Sequence, residues 1–187
     1  MVVIGASLGG LQAIRKILGN LPADYQHPIV IIQHRHRTSQ GRTLALALER
    51  STALKVGDAV DKQKIEPGCV ILAPADYHLL IDRGRVALSI DEPVLYSRPS
   101  IDVAFDSAAR SYGPRAVAVV LTGANSDGAE GAATIRSRGG IVIVQDPEEA
   151  ESDAMPRAAI SAVPDARVMK LSEIGKFLAT DLSGVAA

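Results

Sequence analysis

VVIGASLGGLQAI occupies residues 2–14. An apolar run, VVIG, leads into a turn of small residues. Leu11, Ile14, Ile17 and Leu18 then recur at helical spacing. The stretch reads as strand, tight turn and helix, with Ser7 at the turn. Two chemistries want that shape. A phosphate can rest on the amino end of a helix, or a serine can be held out as a nucleophile on a strand-to-helix elbow. A third reading makes Ser7 a helix N-cap.

The same alternation continues along the chain. Strands are expected at residues 28–34 (PIVIIQH), 69–74 (CVILAP), 116–123 (AVAVVLTG) and 141–146 (IVIVQD). Helices are expected at 44–48, 101–112 behind a cap at Ser100, 129–138, 155–162 and 172–182. Residues 78–90 read as a hairpin turning at Arg83-Gly84. Continuous apolar strands separated by helices imply an α/β fold. The expected architecture is a doubly wound, mostly parallel sheet with helices on both faces and one antiparallel hairpin. All 187 residues fit one domain.

Composition narrows the function. Net charge is −1 and aromatics are 3%, so neither an electrostatic footprint nor a stacking platform for nucleic acid is expected. No apolar run approaches the roughly 20 residues of a membrane span, and residues 2–14 lack the basic leader of a signal peptide. A cytoplasmic protein without membrane insertion is expected. The single cysteine, Cys69, excludes an intrachain disulfide and reads as a buried strand thiol.

A dinucleotide site would need a second glycine where Ser7 stands and a carboxylate after the second strand, where Gln33-His34 stand. Gly5-Ala6-Ser7-Leu8-Gly9 instead matches the G-x-S-x-G elbow. A serine nucleophile needs a base and an orienting carboxylate. In an open α/β sheet these gather at the carboxyl ends of strands. His34 ends the second strand and is the expected base, with His36 in reserve. His27 precedes that strand, and His78 opens the hairpin. Asp127, in the glycine-rich turn of VVLTGANSDGAEG, is the expected orienter, ahead of Asp76, Asp102, Asp106 and Asp146. Backbone N–H groups at the amino end of the helix after Ser7 are expected to meet a developing oxyanion. No metal or cofactor is expected, because two histidines without carboxylate or cysteine partners make a poor metal site.

IGASLGGLQAI, Gln33-His34, RPSIDVAFDSAA (98–109), LTGANSDGAEG (121–131) and MPRAAI (155–160) together resemble the catalytic domain of bacterial chemotaxis protein-glutamate methylesterases, the CheB type. The resemblance covers nearly the whole chain. It implies hydrolysis of glutamate methyl esters, and often deamidation of glutamines, on the cytoplasmic domain of methyl-accepting chemoreceptors. The family's serine, histidine and aspartate fall on Ser7, His34 and Asp127. Leu8, Ala124 and Met155 are the expected oxyanion or substrate-pocket residues. Leu8 replaces the family's usual threonine and Ala124 its usual methionine. The family's receiver domain has no counterpart in residues 1–187. A small-molecule serine esterase and a catalytically silent binding domain are the alternatives. A broad mouth would favour a protein substrate and a deep apolar pocket a small one. The basic loop with Arg35, His36, Arg37 and Arg42 is expected near the mouth, where it could steer acidic receptors.

Overall fold

The computed structural model describes residues 1–39, 42–180 and 182. The chain runs β1 (Val2–Ala6), α1 (Gly10–Leu18), β2 (Ile29–Gln33), α2 (Thr43–Glu49), β3 (Lys55–Asp58), β4 (Cys69–Leu72), β5 (His78–Asp82), β6 (Arg85–Ser89), α3 (Ile101–Tyr112), β7 (Val117–Val120), α4 (Ala129–Ser137), β8 (Ile141–Gln145), α5 (Ala154–Ala162), β9 (Arg167–Met169) and α6 (Leu171–Thr180). Residues 40 and 41 of the basic loop, and residue 181 of the last expected helix, lie outside the described residues. Seven strands pair in parallel in the order β3-β4-β2-β1-β7-β8-β9, and β5-β6 form a separate antiparallel hairpin.

Side-chain alternation along β1 splits the interior in two. Val2, Ile4 and Ala6 face α1, α2 and α6, while Val3 faces α3, α4, α5 and the hairpin. Both layers are chiefly aliphatic, and the chain's two phenylalanines, Phe105 and Phe177, are buried one on each side. α3 forms where expected. Ser100 caps it by accepting from the Val103 N–H, and Ile101, Ala104, Phe105 and Ala108 supply a buried stripe.

Strand order reverses at β1. The chain moves from β1 to β2 on one side and later returns to place β7 on the other. The turns after β1, β2 and β7 therefore meet over one switch point of the sheet. Two short edge strands, β3 and β9, escape the apolar pattern because most of their residues remain partly exposed. Cys69 is half-buried rather than buried. It opens β4 opposite exposed Lys55 of the β3 edge, where the sheet is only partly covered.

Candidate active site

Three turns at the switch point bring Ser7, His34 and Asp127 together. His34 Nδ1 lies 3.2 Å from Ser7 Oγ, and His34 Nε2 lies 2.7 Å from Asp127 Oδ2. Ser7 is not the N-cap of α1. The cap is Gly9, in a left-handed conformation at φ 78°, and no side chain caps the helix. α1 starts at Gly10, because Leu8 and Gly9 complete the turn. Backbone bonds fix that turn, with Ser7 N–H donating to Thr122 C=O and Gly10 N–H to Ser7 C=O.

Asp127 does not serve α4, the helix it precedes. Its buried carboxylate crosses to the amino end of α3. Oδ1 accepts from Ser100 Oγ at 2.9 Å and Asp102 N–H at 3.0 Å, and Oδ2 from Ile101 N–H at 2.8 Å as well as from His34. The approach of α3 depends on glycine. A Cβ on Gly5 would collide with Ile101, and one on Gly128, at φ 101°, would come within 2.7 Å of the same side chain. Burial raises the Asp127 carboxyl, but the hydrogen bond from His34 and those from the Asp102 and Ile101 amides outweigh it. The group is held below the usual carboxylate range. An ionised Asp127 can only accept, so Nε2 of neutral His34 carries the proton. The Nδ1 lone pair then faces Ser7 Oγ.

The rival carboxylates have other partners. Asp76 pairs with Arg98, Asp106 with Arg110, and Asp146 accepts from the Glu148 amide. Asp102 receives the Gly131 N–H, clasping α3 to α4. Desolvation and, after it, the nearby Asp127 charge push its carboxyl up to about 6, although the Gly131 hydrogen bond opposes the rise. His36 bonds Thr38 rather than Ser7. His27 lies beside Pro28 at the opposite end of the sheet.

Leu8 and Ala124 flank the serine turn with exposed side chains. Met155 is placed differently from a pocket wall. It is buried, and its side chain packs against Gly123 beneath the Ser7 turn. Three further groups hold the site in ways sequence reasoning did not assign. Gln33 Nε2 donates to both Ser7 C=O (2.8 Å) and His34 C=O (3.2 Å), tying the serine turn to the histidine turn. Ser100 adds an Asp127 contact to its legible capping role. Buried His78 accepts the Ser100 N–H on Nδ1 and therefore donates from Nε2 to Glu92 C=O.

The site opens into a cleft of about 550 Å³, walled in part by His34, Arg35, Arg37, Asp76, Tyr96 and Arg98. Arg35 is pinned by Asp58 at 3.0 Å, with its side chain only 8% exposed. Arg42 pairs with Glu49 and lines no part of this cleft. The steering loop expected from sequence thus narrows to exposed Arg37.

The CheB methylesterase family model matches residues 2–178. A Leptospira interrogans protein is 44% identical over 176 residues, covering 94% of this chain and 91% of its own length. A Carboxydothermus hydrogenoformans protein named protein-glutamate methylesterase/protein-glutamine glutaminase 1 is 42% identical over 188 residues, covering 97% of this chain and 55% of its own. The crystal structure of the Thermotoga maritima CheB methylesterase catalytic domain superposes with a TM-score of 0.88 at 35% identity, covering 95% of each chain.

Proposed function

The chain belongs to the CheB methylesterase family, and from that premise we propose that it hydrolyses glutamate methyl esters on the cytoplasmic domains of chemoreceptors, and deamidates receptor glutamines, through Ser7, His34 and Asp127. The observation that carries this reading is the unbroken hydrogen-bonded path from Ser7 Oγ through His34 to Asp127 at the mouth of an open cleft whose walls carry charged side chains.

In the proposed reaction His34 Nδ1 takes the Ser7 hydroxyl proton as Oγ attacks the ester carbonyl. The oxyanion forms beside the Leu8 and Ala124 N–H groups, where the amino end of α1 adds favourable dipole. Collapse breaks the bond to the methoxy oxygen. His34 returns its proton to that oxygen, and methanol leaves. Water attacks the glutamyl-enzyme by the same route, giving glutamate and free Ser7. With a glutamine substrate the leaving group is ammonia. Asp127 holds the imidazole in its tautomer and stabilises the charged form that arises in each half-reaction. The cleft's charged walls favour a side chain presented on a protein surface over a small apolar ester.

The test is methanol release from membranes carrying carboxyl-methylated chemoreceptors. Release that stops when a fluorophosphonate labels Ser7 is expected. Labelling of Ser7 with no methanol from receptor would leave the small-molecule esterase. Neither labelling nor release would leave a silent binding domain.

A further inference from the structure

Beside the catalytic turns, residues 90–98 form a rim with unusual exposure and backbone. Tyr96 is fully exposed, and Ile90, Val94 and Leu95 are exposed as well. Val94 and Ser97 exchange both backbone hydrogen bonds, at 3.1 and 2.8 Å, closing a two-residue turn. Its central residues, Leu95 and Tyr96, have φ of 47° and 60°. That is the geometry of a type I′ turn, which asparagine and glycine adopt readily and residues such as Leu and Tyr resist.

The rim is also braced. Arg98 donates from Nη1 to the carbonyls of Ile90 (2.9 Å) and Asp91 (3.0 Å), and from Nε and Nη2 to Asp76. His78 holds the Glu92 carbonyl from below and the Ser100 amide on its other nitrogen. Since Ser100 bonds Asp127, one hydrogen-bonded chain fixes the rim relative to the catalytic groups. An apolar pair is thus held rigidly in solvent, in a conformation its side chains disfavour, on a cleft that also contains His34. Among the described residues, neither side chain belongs to the two buried cores.

We propose that Leu95 and Tyr96 form a docking knob for the protein surface that carries the ester. This rests on the methylesterase reading. The occupant is a glutamate-rich surface. Tyr96 shares the cleft wall with exposed Arg37; Arg35 is paired with Asp58 and Arg98 with Asp76, and Asp91 and Glu92 stand exposed farther along the rim, so Arg37 is the cleft-wall cation placed to meet a carboxylate. Esters and their hydrolysed neighbours on one surface would present aliphatic stems and carboxylates together. The knob meets the stems and Arg37 the carboxylates. The turn backbone is already closed, so binding costs little further backbone entropy, and an aromatic has few rotatable bonds to fix, which suits Tyr96 to anchor such a contact.

The test replaces Leu95→Asn together with Tyr96→Gly. These residues favour the turn, so the backbone is kept while both side chains are lost. Methanol release is measured on a soluble, carboxyl-methylated chemoreceptor cytoplasmic fragment. KM should rise at least about tenfold with kcat within about twofold, the pattern of lost uniform binding. Tyr96→Ala alone, which leaves Leu95 in place, should raise KM less. It carries the test if the double variant melts early. Unchanged KM in both variants overturns the knob. So does a fall in kcat at constant KM, which would make the turn a support for the chemistry. A wild-type dimer that the variants convert to monomer at unchanged KM would put a second copy of the chain there instead. If wild type releases no methanol, the methylesterase reading fails and takes the knob with it.

Discussion

The floor and the rim of the cleft solve opposite problems. On the floor, Asp127 has no solvent exposure and four hydrogen-bond donors converge on its carboxylate. On the rim, Tyr96 is fully exposed and its side chain has no contact that the fold requires. Burial makes each floor contact strong and its loss expensive, since an orphaned donor cannot turn to water. Exposure makes rim contacts weak within the molecule and leaves them free for a partner. Chemistry should therefore reside in the floor and recognition in the rim.

Asp127→Asn should break the floor most severely. The amide presents N–H groups to a ring of donors and cannot hold the His34 tautomer, so kcat should fall by about 10⁴. Stability should fall too, by about 1–3 kcal/mol for unsatisfied buried groups. Methanol release and thermal melting measure the two losses. Asp146→Asn should affect neither strongly. Because Asp127 is held below the ordinary carboxylate range, its stabilising contribution is full above the unfolded value, declines as pH falls below that value, and is gone once pH lies below the lower folded one.

Gln33→Leu removes the donor shared by the Ser7 and His34 carbonyls. It should cost about tenfold in kcat, the scale of one hydrogen bond's worth of positioning. A lower melting temperature with unchanged kcat would reduce Gln33 to a structural tie.

Asp102→Asn probes the second floor carboxyl. Its folded value of about 6 lies above the unfolded 3.8, so burial of Asp102 becomes less favourable as pH rises through that interval. The variant should be more stable than wild type at pH 8, by about 1 kcal/mol after discounting for partial exposure, and equal to it below pH 4. Melting curves at the two pH values decide this. A constant offset would show that the charge is not the cause.

Arg37→Ala should have the smallest effect. A rim charge changes association more than chemistry, so kcat/KM on receptor should fall about threefold at low salt and converge with wild type as the Debye length shrinks. Arg35→Ala should do more harm, because the Asp58 pair anchors the loop that follows His34. Equal salt dependence in Arg37→Ala and wild type would remove Arg37 from steering.

The fold was legible because β1, β2, β7 and β8 are nearly continuous apolar runs and α3 carries an explicit serine cap. The edge strands were not, since three or four partly exposed residues produce no pattern. That Ser7 and His34 would lie side by side was legible from the G-x-S-x-G elbow and from strand ends. Asp127 could be chosen from its turn, but not its target. The sequence neighbour of Asp127 is α4, whereas the carboxylate caps α3, a contact made by the packing of Ile101 against Gly5 and Gly128. The Gln33 and His78 contacts and the Ser100–Asp127 bond were hidden for the same reason, because their partners lie on turns distant in the chain. Met155, expected among the pocket residues, lies buried against Gly123. Its side chain turns inward.

Ser7→Ala tests the central claim most directly. Methanol release from methylated receptor is compared with wild type, and folding is checked by melting. Removing the nucleophile should lower kcat by at least about 10³ while the melting temperature changes little, because the Ser7 side chain makes no capping bond. Activity within a few-fold of wild type would contradict it and leave the Ser7–His34–Asp127 path as structure without chemistry.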